Sequence, residues 1–186
     1  MAIYLKEYVG FSPMKTHSEK PSVKESSVAI APQMISPNSL NVDIEGIHSI
    51  LTINYNFYTE NCLKNSADRW TIPYERPVIM HHKEEDGVII GRVKNVEYKE
   101  KNTRSGTPCQ MFTCNIGDPK GIEGIKNGTL STVSIGAIVY DLRCSICNKN
   151  LAEDGECEHE KGQYYDGELC YWRVEEMEPK EISYVI

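Results

Sequence analysis

Short apolar runs bounded by Asn, Pro, Ser or Gly recur along this chain, and their length and β-branched content predict strands more often than helices. "SVAIAPQMIS" and "HSILTINYNF" are two such runs. "TENCLKNSADRW" changes to helical spacing, with Thr59 as N-cap and Cys62, Leu63, Ala67 and Trp70 able to share a face. "RPVIMHH" and "GVIIGRVKNVEY" read as the two arms of a hairpin around the charged loop Lys83 to Asp86, which sets His81 and His82 at a strand end. "TPCQMFTCNIG" predicts another strand. "GDPKGIEGIKNGTL" predicts a short helix, with Asp118 as N-cap, Pro119 in the first helical position and Gly128 just past the end. "STVSIGAIVYDL" is a strand carrying Ser134, and "ELCYWRVEEME" and "KEISYVI" predict two closing strands separated by Pro179. The pattern is that of an α+β fold, mostly antiparallel, with two or more helices.

Composition narrows the picture. At 186 residues the chain can bury one real core. Residues 11–27 are rich in Ser, Lys and Pro, so a flexible arm is expected over 1–27, with the folded domain from 28 to 186. The first residues contain no continuous apolar segment of the signal-peptide kind, so a reducing compartment is expected. No apolar stretch approaches the roughly 18 residues of a membrane span, so no membrane association is expected. A net charge of −7 argues against nucleic acid as a partner, because phosphate affinity is built from clustered Lys and Arg.

The seven cysteines add candidate chemistry. Four of them lie from Cys144 onward, and Cys144, Cys147, Cys157 and His159 form C-x2-C-x9-C-x-H. A C-x2-C turn delivers two thiolates to one ion, and two more soft ligands complete the tetrahedron that zinc prefers. A small zinc-binding insert over 143–162 is therefore expected, its filler acidic, Gly-rich and poor in core residues. Four protein ligands leave no position for an activated water, so the Zn2+ is expected to be structural. Cys170 could compete with His159 for the fourth position, but its context "ELCYW" marks it as a core residue. Cys62, Cys109 and Cys114 receive no role.

Ser134 is flanked by Val133 and Ile135 and followed by Gly136, so strand alternation turns its hydroxyl away from its apolar neighbours. His81 and His82 face opposite sides of their strand, so at most one can join a given site.

Four blocks then carry a resemblance, from about Ile53 to the end: "INYNFYTENCLKNSADRWTIPYERPVIMHH", "IIGRV", "GIKNGTLSTVSIGA" and "EPKEISYV". In this order they resemble the tailed-phage prohead maturation proteases, which are related in fold to the herpesvirus assembly protease. In that family a Lys/Arg-Pro-Val run leads into an Asn-His pair, a Gly-Arg-Val strand follows, the nucleophile lies in a Ser-Ile-Gly strand, and a Glu-x-Ser strand closes the domain. The resemblance implies a barrel-like β domain and a serine endopeptidase with Ser134 as nucleophile, His82 as base and Glu181 as the orienting third member. His81 stands where the family has Asn. It also implies scaffold and major capsid proteins, and the enzyme itself, as substrates inside an assembling prohead in the host cytoplasm. Homo-oligomerisation is left open. The rival reading is a non-enzymatic, zinc-stabilised assembly or binding module of the same fold, since fold alone does not fix function.

Overall fold

The computed structural model describes residues 3–9, 16–18, 38–80, 88–101 and 103–185. These residues form strands β1 (Ile3–Val9), β2 (Thr16–Ser18), β3 (Leu40–His48), β4 (Asn56–Tyr58), β5 (Pro77–Met80), β6 (Val88–Lys99), β7 (Cys109–Ile116), β8 (Thr132–Cys144), β9 (Tyr164–Tyr165), β10 (Glu168–Leu169) and β11 (Trp172–Val185). Two α-helices join them, α1 (Glu60–Ser66) and α2 (Pro119–Lys126), and a 3-10 turn over Asp68–Trp70 follows α1.

One sheet runs in the order β2-β1-β8-β11-β5-β6-β7-β3, with β4 also against β11; β9 and β10 form a separate hairpin. Most pairs are antiparallel, while β4 and β5 run parallel to β11. The α+β class thus holds. The barrel-like closure expected from the resemblance does not, because among the described residues the path ends at β2 and β3 and no ladder joins them.

Local signals built the helices as expected. Thr59 has extended backbone, and its Oγ1 accepts from the Cys62 amide at 3.2 Å. Cys62, Leu63 and Trp70 are buried; the Trp70 ring stands edge-on to Phe112 with centroids 4.8 Å apart. The Trp70 Nε1–H donates to Gln110 Oε1 at 3.0 Å, and Gln110 Nε2 donates in turn to Leu63 O and Ser66 Oγ, so this buried amide is satisfied on both sides. Asp118 caps α2 by accepting from the Gly121 amide at 2.7 Å. The two glycines inside α2 mark close packing. A Cβ at Gly121 would lie 3.2 Å from Ile90 Cβ, and one at Gly124 would lie 2.8 Å from the Leu130 side chain.

Four expectations fare differently. "SVAIAPQMIS", residues 27–36, lies outside the described residues. The strand expected over His48–Phe57 survives only at its ends, His48 in β3 and Asn56 and Phe57 in β4; between them runs a loop with Ile50 and Ile53 exposed and a single bridge, Leu51 to Phe57. The two closing strands are one 14-residue strand, β11, because Pro179 sits at an irregularity where Lys180 is extra and the ladder resumes at Glu181. Finally, β1 and β2 fall within the 1–27 segment expected as an arm. β1 pairs with β8 over seven residues, which the Ser- and Lys-rich composition just after it did not signal.

Candidate functional site

The β8–β11 ladder runs from Thr132–Val185 at one end to Cys144–Trp172 at the other. Each end carries one of the two constellations expected from the sequence.

At the first end, Val133, Ile135, Ala137 and Val139 of β8 join the apolar core, which puts Ser134 on the opposite face. On β11, Met177 pairs with Val139 and Pro179 with Ala137, both on the core side. The extra residue at Lys180 then reverses the alternation, so that Ile182 and Tyr184 face the core while Glu181 and Ser183 turn to the face of Ser134. Ser183 is directly opposite Ser134, and Glu181 is opposite Gly136. All three side chains are buried: Ser134 and Ser183 are fully covered and Glu181 is 5% exposed. The Ser183 hydroxyl donates to Glu181 Oε2. The structure therefore brings Ser134 and Glu181 to one face. His81 and His82 lie outside the described residues. The strand just before them in sequence, β5, also pairs with β11, with Ile79 beside Ser183 and Met80 beside Tyr184.

Arg76, only 3% exposed, anchors the start of β5. Its guanidinium pairs with Glu178 on β11, and its Nε donates to Arg69 O at 3.1 Å. Burial, and then the Arg76 charge, hold the neighbouring Lys180 ammonium below its ordinary range. Glu178 is thus an anchor point for β5, and Ser183 joins Glu181 on the buried face. A Glu-x-Ser pair two residues apart on one strand face was the available signal.

At the other end, Cys144, Cys147, Cys157 and His159 converge, their ligand atoms all within 4.8 Å of one another. Tetrahedral zinc–sulfur bonds imply edges of about 3.8 Å, so a small closing movement suffices. The turn after Cys144 is tight: Asn148 has φ +59 and its amide donates to Cys144 O at 2.9 Å. Burial alone would push the Cys144 thiol up, yet the amides of Cys147 and Ile146 donating to its sulfur bring it below the ordinary thiol value. Cys157 is pushed up, by burial first and then by its sulfur neighbours. Thiols so placed compete for one negative charge, and a cation relieves that competition. His159 Nδ1 is buried with no hydrogen-bond partner, and its ring meets Tyr165 edge-on at 4.6 Å. These residues fit a metal ion.

Cys170 is outside this group. Its sulfur lies 4.0 Å from that of Cys144, and burial followed by the Cys144 charge pushes its thiol up to about 12. It is a fully buried core residue, as its sequence context suggested.

The insert has more contact with the core than its composition implied. Leu151 and Ala152 are buried in the main core, the Leu151 amide donates to Leu142 O at 2.6 Å, and Asn150 Oδ1 accepts from the Leu142 and Ala152 amides. Asp166 and Gly167, both with positive φ, turn the β9–β10 hairpin.

A second group of donor atoms, Glu45, His48 and Cys109, lies on the β3–β7 edge. Burial would raise the Glu45 carboxyl, but the Ser105 side chain and the Ser105 and Arg104 amides, with His48, bring it down to about 2. Those donors come from the loop after β6, so Glu45 acts as the anchor of that loop.

No helix of the described residues is long and apolar enough to cross a membrane. No family model, no curated protein and no solved structure matches the chain.

Proposed function

We propose that the protein is a serine endopeptidase of phage prohead maturation, with Ser134 as nucleophile and Glu181 orienting the histidine that accepts its proton. The observation that carries this reading is the buried face shared by Ser134 and Glu181, created by the bulge at Lys180 and flanked by the strand that leads into the two histidines. A serine becomes a nucleophile when an imidazole takes its proton, and a carboxylate holding that imidazole fixes its tautomer and stabilises its charged form. The histidine is His82 by the family pattern. His81, its neighbour in sequence, is the alternative base. The resemblance of four ordered blocks supplies the substrates, scaffold and major capsid proteins.

The ion at Cys144, Cys147, Cys157 and His159 is zinc, on the chemistry of a three-sulfur, one-nitrogen donor set. Its role is structural. Cys144 lies ten positions along β8 from Ser134, roughly 33 Å at about 3.3 Å per residue, so the metal polarises nothing at the serine.

Co-expression with a scaffold protein, followed by intact-mass analysis, tests the reading. Processing that stops in Ser134→Ala supports it, and unchanged processing leaves the non-enzymatic module as the better account.

A further inference from the structure

We infer that Ser183 is a positioning residue for Glu181, an assignment that rests on the proposed peptidase reading of Ser134. Three observations converge on it. Ser183 and Glu181 are both buried, and the Ser183 hydroxyl donates to one carboxylate oxygen, Oε2. The bulge at Lys180 turns both residues to the same side, which is the side of Ser134. Ser183 stands directly between its two register partners, Ser134 on β8 and Ile79 on β5, the strand that runs into the histidine pair.

A carboxylate on a strand can rotate about its terminal torsion, which is broad and roughly two-fold. A donor fixed to one oxygen removes that freedom and presents the other oxygen, Oε1, in a single direction. A hydroxyl hydrogen bond to a carboxylate is charge-assisted and stronger than a neutral one, and in a buried setting it also offsets the desolvation of the charge. Ser183 supplies this bond from two residues away on the same rigid strand. It touches neither the scissile carbonyl nor the nucleophile's proton, so its effect passes through Glu181.

Phosphonylation of Ser134 by a fluorophosphonate reagent, in which the Ser134 oxygen bonds to phosphorus and fluoride leaves, reads this directly by intact mass and peptide mapping over hours. In Ser183→Ala the phosphonylation rate should fall about tenfold, the scale of one charge-assisted hydrogen bond. Peptide-substrate KM should stay near that of the natural protein while kcat falls. Ser183→Thr, which keeps the hydroxyl, should recover most of the rate. The deciding arm is a double-mutant cycle: in a Glu181→Ala background, Ser183→Ala should cost nothing further. An equal loss in both backgrounds, or a loss that Ser183→Thr does not repair, overturns the positioning role and leaves a packing role. Failure of the peptidase reading looks different: the natural protein would show no adduct on the Ser134 peptide. An adduct on Ser183 instead would overturn both assignments, making Ser183 the nucleophile.

Discussion

At the Thr132–Val185 end of the β8–β11 ladder, the grouped polar atoms are buried oxygens on two paired strands; at the Cys144–Trp172 end they are sulfurs and an imidazole, buried only at Cys144, on a strand end and the turns after it. The first group is positioned by register. One extra residue at Lys180 decides which way Glu181 and Ser183 point. The second group is positioned by loop geometry, with Asn148, Gly155 and Gly162 all at positive φ, and its crowded thiols call for a cation. Polar side chains can be aligned by a ladder alone, whereas the turn-rich insert is tied to the core through Leu151 and Ala152 and gathers donor atoms that fit an ion.

The largest expected effect breaks the comparison at the oxygen end. Ser134→Ala should lower proteolysis by about a thousandfold or more while the fold persists, because it removes one oxygen and leaves little void. Peptide hydrolysis and circular dichroism on the same sample check both halves. His81→Ala and His82→Ala, assayed side by side, should differ sharply, since neighbouring strand positions face opposite ways. Equal losses from the two would contradict a single base.

At the sulfur end the expected effect is on stability. The natural protein should carry one metal ion per chain, whereas Cys144→Ser should lose it and melt roughly 5 °C lower or more, measured by elemental analysis and calorimetry. Cys170→Ser sharpens the ligand set: it should retain the metal, because Cys170 is a core thiol beside the site rather than a member of it. Loss of metal in that variant would move Cys170 into the site in place of His159.

The parts of both sites that sequence made legible rest on local signals. Thr59, Asp118 and Gly128 mark helix ends through bonds within one turn, and C-x2-C marks a ligand turn over four residues. What sequence hid depends on distant pairing. Nothing near Pro179 says that the strand continues with reversed alternation, since that follows from its ladder with β8. The parallel contacts of β4 and β5 with β11 are likewise non-local. The apolar residues Ile50 and Ile53 read as strand and prove to be exposed loop, because periodicity does not reveal which apolar side chains find a core.

The smallest expected effect lies away from both ends and serves as their reference. Glu45 is held to about 2 when folded, against an ordinary value of 4.5, so its contribution is present above about pH 4.5 and is lost as pH falls toward 2. Glu45→Gln should therefore flatten the acid side of the stability curve across that window, leaving metal content and Ser134 reactivity unchanged.

The most direct test of the central claim, that the oxygen end performs the chemistry and the sulfur end only supports the fold, is fluorophosphonate labelling of metal-loaded and metal-depleted protein at low temperature, with the adduct mapped by peptide mass. The account predicts an adduct on Ser134 in both samples, at similar rates while the depleted protein remains folded. No adduct on Ser134, or an adduct that forms only when the metal is bound to folded protein, would contradict it.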